Sequence, residues 1–248
     1  MARAAKKKRP SKKRTRKKKP GRASFRPVRW LAKWALRGAL VAGAVLLVSV
    51  FGYGIFDPPT TPYMIAEARR LGSVDHQWVD LEEIAPVMAR VVVAAEDANY
   101  CQHWGFDMAA IRDALDEGAN RGASTISQQV VKNVYLWPGR SWARKALEAV
   151  MTPLVEAVWT KRRILEIYLN VAEFGEGVFG VEAAARLYFR VGPEALTPAQ
   201  AARLAAVLPN PKARSARSPS AFVRRRARAA AQGAATILAD GRAACFES

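Results

Sequence analysis

The sequence predicts an all-α domain preceded by a single transmembrane helix, and three observations support this prediction. From Gly38 to Phe56 the chain runs for 19 residues without a formal charge, nearly the length that a helix needs to cross a hydrocarbon core of about 30 Å. Beyond that segment, apolar residues recur three and four positions apart, as they do on one face of a helix. No run of alternating residues is long enough to predict a substantial sheet.

The net charge of +19 is concentrated near the N-terminus. Of the 40 Lys and Arg in the chain, 17 lie in residues 1–37, which contain no Asp or Glu, and this leaves 23 basic against 21 acidic residues elsewhere. A body so close to neutral is not expected to bind nucleic acid. Residues 1–37 contain too few apolar groups to offset the entropy of ordering, so we expect a disordered cytoplasmic tail.

Residues 38–56 are interpreted as an uncleaved membrane anchor. A signal peptide would have a shorter apolar core followed by small residues for cleavage, whereas this segment continues into Asp57-Pro58-Pro59. Trp30 and Trp34 precede it and suit a membrane interface. The positive-inside rule then places the basic tail in the cytoplasm and the rest of the chain outside, in a bacterial periplasm or its equivalent.

A linker is predicted for residues 57–80, because Pro, Thr and Gly are frequent at its start, and a helical domain for residues 81–248. Pro86 suits the first turn of a helix, and Asp107 suits the cap of another. Thr197 and Gln200 have the spacing of a capping box ahead of an alanine-rich helix.

Two cysteines, Cys101 and Cys245, are too few for a disulfide framework. An oxidising compartment would permit one bridge between them, and the sequence leaves their pairing open. Cys101 by itself is expected to be a small core residue, or else an exposed thiol sensitive to oxidation. The two histidines, His76 and His103, lie too far apart in sequence to predict a zinc site.

Glu96 and Asp97 directly follow the apolar run VVVAA. Carboxylates at the end of a buried helix are costly unless they are paired, exposed in a cleft, or used in chemistry. Helix capping with salt bridges and a catalytic role are therefore both open at this point.

A second polar group comprises Thr125, Gln129, Lys132 and Asn133, which fall on one face of a predicted helix. Thr125 and Gln128 have capping-box spacing, which explains part of the pattern. A helix N-terminus followed by amides and a lysine suits a phosphate-bearing ligand, and a solvated helix face is the alternative.

The third group comprises Arg140, Arg144, Lys145 and Glu148. These residues fall close together on a helix, and the alternative to function is a surface pair between Arg144 and Glu148. Such a pair would contribute only a few tenths of a kcal/mol.

The order of the blocks EDANYCQHWGFD, GASTISQQVVKN, RKALE, KRRILEIYLNVAEFGEGVFGVEAAARLYF and LAAVLPNP resembles the peptidoglycan glycosyltransferases, which share a lysozyme-like fold. That family occurs alone or joined to the transpeptidase domains of class A penicillin-binding proteins. The likeness runs from about Val91 to Pro211. The chain is similar to the monofunctional type, since it ends soon after the last block.

The resemblance implies an inverting transfer that polymerises lipid II into glycan strands and releases undecaprenyl pyrophosphate. Glu96 would be the general base and Glu148 a second catalytic carboxylate, the two lying well beyond contact, as in inverting glycosidases. The substrate would be bound by Asp97, Thr125, Gln129, Lys132, Asn133, Arg140, Arg144 and Lys145.

The resemblance further implies a single-pass protein of the bacterial inner membrane with a periplasmic catalytic domain. No organic cofactor is expected, and Mg²⁺ or Mn²⁺ at the diphosphate is left open. Expected partners are lipid II, the growing glycan strand, the membrane and proteins of cell-wall synthesis or division, with no nucleic acid.

Two other functions are weighed against this one: a lytic or lysozyme-like glycan hydrolase, and a noncatalytic scaffold that binds cell-wall enzymes or anionic lipid. The cation cluster argues against the hydrolase, because cleavage of a sugar polymer has no diphosphate leaving group. The segment FVRRRARAAAQGAATILADG is predicted to be an amphipathic helix, either solvated or in contact with lipid head groups. The glycines of Glu173–Gly180 predict a tight turn that supports the fold.

Overall fold

The computed structural model describes residues 27–118 and 122–247. Its contacts divide the chain into two units, one ending at Val45 and the other beginning at Leu46. The first helix, α1 (Pro27–Tyr53), contains a stretch from Arg29 to Tyr53 that is long and apolar enough to cross a membrane, and almost none of it is buried inside the protein. This helix is therefore consistent with a single-pass anchor.

Helix α1 begins earlier than the sequence predicts. Residues 27–37, assigned to the disordered tail, are helical, because this stretch supplies Trp, Leu and Ala side chains that favour a helix despite its basic residues. The prediction of disorder for residues 1–26 lies outside the described residues. At its other end α1 stops at Tyr53, and Gly54 begins a turn.

The unit from Leu46 onward is built almost entirely of helices, which confirms the all-α prediction for the described residues. Its elements are α2 (Pro62–Leu71), β1 (Asp75–His76), α3 (Pro86–Glu96), α4 (Met108–Asp116), α5 (Ile126–Tyr135), α6 (Trp142–Val158), α7 (Lys161–Val171), β2 (Glu173–Gly175), β3 (Val178–Phe179), α8 (Val181–Phe189), α9 (Pro198–Val207), α10 (Ala221–Ala239) and α11 (Ala244–Glu247), with single 3-10 turns at Leu81–Glu83, Tyr100–Gln102 and Pro193–Ala195.

Side-chain caps begin several of these helices, as the sequence predicts. Asp107 accepts a hydrogen bond from the Ala110 amide at 2.9 Å and begins α4. Thr125 and Thr197 each form a complete capping box, at the start of α5 and α9. These caps satisfy amide groups that would otherwise lack partners in the first helical turn.

The core is formed by two sets of helices. Helix α3 packs against α9 and α10, and α5 packs against α6 and α7. Val91, Val92, Ile164 and Leu165 are among the side chains that these contacts bury completely. The C-terminal end of α3 and the N-terminal end of α5 both lie at the site described below.

The segment expected to be a linker is partly folded into the domain. Helix α2 buries Met64 and Glu67, and β1 pairs in parallel with β3, which in turn pairs antiparallel with β2. The β2–β3 turn confirms the tight turn predicted from its glycines. Gly180 is required there, because its φ is +83° and an added Cβ would lie 2.9 Å from the Asn170 carbonyl oxygen.

Cys101 and Cys245 form a disulfide with a Cα–Cα distance of 5.7 Å. The expectation of an exposed, oxidation-sensitive thiol at Cys101 is therefore wrong, whereas Cys101 does pack against the core. Sequence alone could not pair the two, since 144 positions separate them and only the packing of α11 against the 3-10 turn at Tyr100–Gln102 brings them together.

Candidate active site

Glu96 is the last residue of α3, and its carboxylate is held by two side chains from distant parts of the chain. Gln129 of α5 donates from Nε2 to Oε2 at 3.1 Å, and Arg226 of α10 donates from Nη2 to Oε1 at 3.1 Å. The side chain of Glu96 is only 10% exposed. Burial raises the pKa of this carboxyl, and Gln129, Arg226 and the charge of Lys132 oppose that rise.

The amide of Gln129 is oriented by a second contact. Its Oε1 accepts a hydrogen bond from the hydroxyl of buried Tyr168 at 3.2 Å, which leaves Nε2 to face Glu96. The resulting chain from Tyr168 through Gln129 to Glu96 fixes which end of the amide meets the carboxylate.

Both carboxylate oxygens of Asp97 are engaged by other protein groups. Its Oδ2 accepts from the Ile126 amide at 3.0 Å, at the start of α5, and its Oδ1 is 2.8 Å from Nε2 of His103. Thr125, the cap of α5, donates its hydroxyl to the Gly105 carbonyl at 2.7 Å. These contacts join the segment after α3 to the first turn of α5 and so bring Glu96 and Gln129 together.

Lys132 lies one turn after Gln129 on α5 and interacts electrostatically with both Glu96 and Glu148. Burial lowers the pKa of its ammonium, and the charges of Glu148 and Glu96 oppose that effect. Within residues 27–118 and 122–247, no hydrogen bond or ion pair engages this ammonium. A partly buried cation without a partner is costly, so it is placed to receive an anion.

Glu148 is 3% exposed and pairs with Lys145, one turn earlier on α6. The surface pair between Arg144 and Glu148 that the sequence suggested is therefore wrong in both partner and exposure. Lys145 also donates to the Ser124 hydroxyl at 3.4 Å. Glu96 pairs with Arg226 and Glu148 pairs with Lys145; a wide separation of the two carboxylates stays a prediction.

The remaining predicted residues line the side of the site away from Glu96. Arg144 is half-buried, and its Nε has no hydrogen-bond partner among the described residues. Arg140 is exposed on the loop between α5 and α6, while Asn133 is buried on α5. Arg140, Arg144, Lys132 and Asn133 together line a depression of about 310 Å³ that also contains Tyr63 and Trp137.

Two further depressions continue the site. One of about 230 Å³ lies at Glu96, Asp97, Asn99, Asp107 and Ser124. Another of about 250 Å³ is lined by Gln129, Lys132, Asn133, Tyr168 and Lys212. Lys132 and Asn133 belong to both depressions on the cationic side, and the Gln129–Glu96 hydrogen bond connects these with the acidic one. We name the acidic depression at Glu96 and the two cationic depressions together the groove, with an acidic end and a cationic end.

Arg226 is a site residue that the sequence did not predict, as are Tyr168 and Lys212. It belongs to the cluster Arg224–Arg228, for which the sequence left solvent or lipid contact open. The structure buries Val223, Ala227 and Ala230 against the domain, and Arg226, which adjoins this buried stripe, reaches Glu96. Its position next to the apolar stripe could have indicated that Arg226 faces the domain, because the other arginines of the cluster fall on the exposed side of the helix.

The described residues do not fit a metal held by the protein alone. No group of three or more His, Cys, Asp or Glu side chains in residues 27–118 and 122–247 is placed to hold an ion. Glu148, the predicted second carboxylate of the site, is already paired with Lys145.

The transglycosylase family model matches residues 64–235. A biosynthetic peptidoglycan transglycosylase of Jannaschia sp. is 60% identical over 216 residues, covering 87% of this chain and 90% of that protein. Proteins of the same name from Xanthomonas campestris and Caulobacter vibrioides are 48% and 45% identical, covering 84% and 85% of this chain and 87% and 93% of their own lengths.

The family match includes every predicted site residue and also Arg226. The relatives are similar along nearly their whole length, so the likeness is not confined to one motif. The chain therefore belongs to the transglycosylase family, and it is a glycosyltransferase of the biosynthetic peptidoglycan transglycosylase type.

Proposed function

We propose that this glycosyltransferase polymerises lipid II into glycan strands with inversion at the anomeric carbon, using Glu96 as general base. The observation that carries the proposal is the environment of Glu96. Its carboxyl is mostly buried with a raised pKa, and it interacts electrostatically with Lys132, which has no ion-pair partner in the described part of the chain. A base with a pKa nearer to working pH is better matched to the removal of a proton from a sugar hydroxyl.

In the proposed step, Glu96 takes the proton from the 4-hydroxyl of the acceptor GlcNAc as its oxygen attacks the anomeric carbon of the donor MurNAc. The bond from that carbon to the diphosphate oxygen breaks, and undecaprenyl pyrophosphate leaves with the electron pair. Attack from the face opposite the leaving group converts an α-linked donor into a β-linked product. The inverting step requires the Glu96 and Glu148 carboxylates to be at least as far apart as in inverting glycosidases, about 6.5 to 9.5 Å, so that a sugar hydroxyl can enter between them.

The cationic end of the groove suits the departing diphosphate. Among the described residues, the ammonium of Lys132 and Nε of Arg144 have no hydrogen-bond partner. Arg140 lines the same depression. Fixed cations stabilise negative charge as it grows in the transition state, without first having to reorganise. Lys145 is placed differently, since it holds Glu148; we assign this pair to orienting the donor.

The remaining site residues are assigned to positioning. Asp97 and Thr125 hold the start of α5 against the end of α3, while Gln129 and Asn133 line the groove where the sugars would lie. No step requires a metal ion, although one carried by the diphosphate itself would be bound chiefly by substrate oxygens and water.

The apolar helix α1 supports a membrane location, and the basic residues before it favour a cytoplasmic N-terminus with the domain in the periplasm. In that arrangement the bacterial inner membrane presents lipid II on the side where the groove lies. The Cys101–Cys245 disulfide is in keeping with an oxidising compartment.

Incubation of the purified full chain with lipid II in detergent tests the proposal. We expect a ladder of glycan polymer that lysozyme digests, since lysozyme cleaves β-linked strands, together with one released undecaprenyl pyrophosphate for each bond formed. Cleavage of finished glycan without any polymer from lipid II would instead assign the protein to the hydrolases.

A further inference from the structure

The C-terminal segment of the described chain is fastened to the loop that follows Glu96. We name residues 242–247 the clasp and residues 97–103 the Glu96 loop. The Cys101–Cys245 disulfide joins them covalently. Arg242 of the clasp donates from Nη1 to the Ala98 carbonyl at 2.9 Å, one residue after Asp97.

The clasp is also attached to the helices on either side of the Glu96 loop. Glu247 forms an ion pair with Arg90 of α3 at 2.7 Å, and the Phe246 carbonyl accepts from Arg162 of α7 at 3.1 Å. Phe246 is 1% exposed, and its ring lies 6.3 Å from that of buried Tyr100 in the Glu96 loop. Residues 242–247 follow the range matched by the family model, which ends at 235.

The Glu96 loop transmits this attachment to the site. Asp97 at its start bonds to the Ile126 amide of α5 and to His103. Tyr100 donates its hydroxyl to the Lys161 carbonyl at 2.8 Å. Displacement of Ala98 or Tyr100 would therefore move Asp97, and with it the contact that brings α3 and α5 together at Glu96 and Gln129.

We propose that the clasp is a positioning element for the proposed reaction, and that the Cys101–Cys245 disulfide is required to keep Glu96 at its catalytic distance from Gln129 and the groove. A chain terminus is poorly ordered unless it is tied down. Without the covalent bond, the clasp is held by buried Ala243 and Phe246 and by the polar contacts of Arg242 and Glu247. A displacement on the order of 1 Å at a catalytic group can cost a large factor in rate.

The chain contains two cysteines in all, so a thiol reductant acts on this bond alone. Dithiothreitol supplies two electrons and two protons: the Sγ–Sγ bond breaks, each cysteine becomes a thiol, and the reductant closes into a ring disulfide. The experiment compares the oxidised and reduced full chain, and the reduced chain after reoxidation by oxidised glutathione, all at 20 °C.

Hydrogen exchange gives a readout that does not depend on the assigned reaction. Reduction is expected to accelerate amide exchange at least about tenfold in peptides covering residues 97–103 and 122–128, the second of which reports the Ile126 amide bonded to Asp97. Peptides of α9, which packs mainly against α3 and α10, should exchange unchanged. Equal exchange in both oxidation states at residues 122–128 would overturn the proposal.

Polymerisation of lipid II gives the functional readout and rests on the proposed function. Reduction should lower kcat about tenfold with KM nearly unchanged, and reoxidation should restore it. The double variant Cys101→Ala/Cys245→Ala should start at the lower kcat and not respond to reductant. An unchanged kcat in the reduced enzyme overturns the positioning role, even if exchange is faster. Absence of polymer from the oxidised enzyme would reject the proposed function, while exchange would still decide the link between clasp and loop.

The double variant is expected to lose about 5 to 15 °C in Tm, as loss of a disulfide closing a long loop implies. Should it fail to fold, Arg242→Gln provides a second variant with the disulfide intact. That change removes the bond to the Ala98 carbonyl, and faster exchange in residues 97–103 is expected. Exchange equal to the wild type in this variant would count against a clasp that acts through Ala98.

Discussion

Replacing Arg226 by glutamine should change the pH at which the enzyme becomes active. Arg226 lies 3.1 Å from the Glu96 carboxylate and opposes the rise in its pKa that burial causes. Without that charge, the pKa of Glu96 rises further. Because a general base works only when deprotonated, the acid limb of the kcat/KM profile should move to higher pH.

The size of the effect follows from the distance and exposure. Unit charges about 4 Å apart interact by about 1 kcal/mol in water and about 4 kcal/mol at an effective dielectric constant of 20. The side chain of Arg226 is 32% exposed, so we use the lower part of that range, about 1 to 2 kcal/mol. At about 1.4 kcal/mol for each pH unit, the acid limb should move by about one unit.

The assay is the rate of lipid II polymerisation measured from pH 5 to 9 for the wild type, Arg226→Gln and the control Arg225→Gln. Arg225 adjoins Arg226 and carries the same charge, but its side chain is exposed and is not bonded to Glu96. The control should superimpose on the wild type. A profile of Arg226→Gln that does not move, or moves to lower pH, would refute the electrostatic link between Arg226 and Glu96.

Two further variants test other parts of the site. Lys132→Met should lower kcat about 10²- to 10³-fold, as loss of a fixed charge aimed at a leaving group does. Its Tm should not fall, since burial already disfavours the ammonium. A loss of activity that is fully explained by unfolding would contradict the assignment. Tyr168→Phe should lower kcat only about three- to tenfold, because it removes one hydrogen bond of about 1 kcal/mol and leaves the Gln129 amide free to rotate. A larger loss would mean that the Tyr168 hydroxyl contacts substrate directly.

Local sequence features predicted most of the helices. Pro86, Asp107, Thr125 and Thr197 mark helix starts that the structure confirms, because a cap or a first-turn proline acts within one turn. The start of α1 was missed because residues 27–37 are basic, like the tail before them, although they already belong to the helix. The fold of α2 was missed because α2 packs against Phe179 of β3 and against α5, which are distant in sequence.

The site was predictable where its members lie on one helix and less so where they meet across helices. Gln129, Lys132 and Asn133 follow from the spacing on α5. The contact of Arg226 with Glu96 spans 130 positions and has no local signal. The sequence suggested Arg144 as the partner of Glu148 in place of Lys145, because Arg144 and Lys145 both lie about one turn from Glu148 and only packing selects between them. The disulfide is likewise a product of tertiary contact.

The role of Glu96 is tested most directly by comparing Glu96→Gln with Glu83→Gln on lipid II. Glu83 is an exposed carboxylate and serves as a matched control. Glu96→Gln should lower kcat by about 10²- to 10⁴-fold. Its Tm at pH 7 should equal or exceed that of the wild type, since burial disfavours the charged form of Glu96. Glu83→Gln should match the wild type in both kcat and Tm. Glycan polymer formed by Glu96→Gln at the wild-type rate would contradict the assignment of Glu96 as the general base.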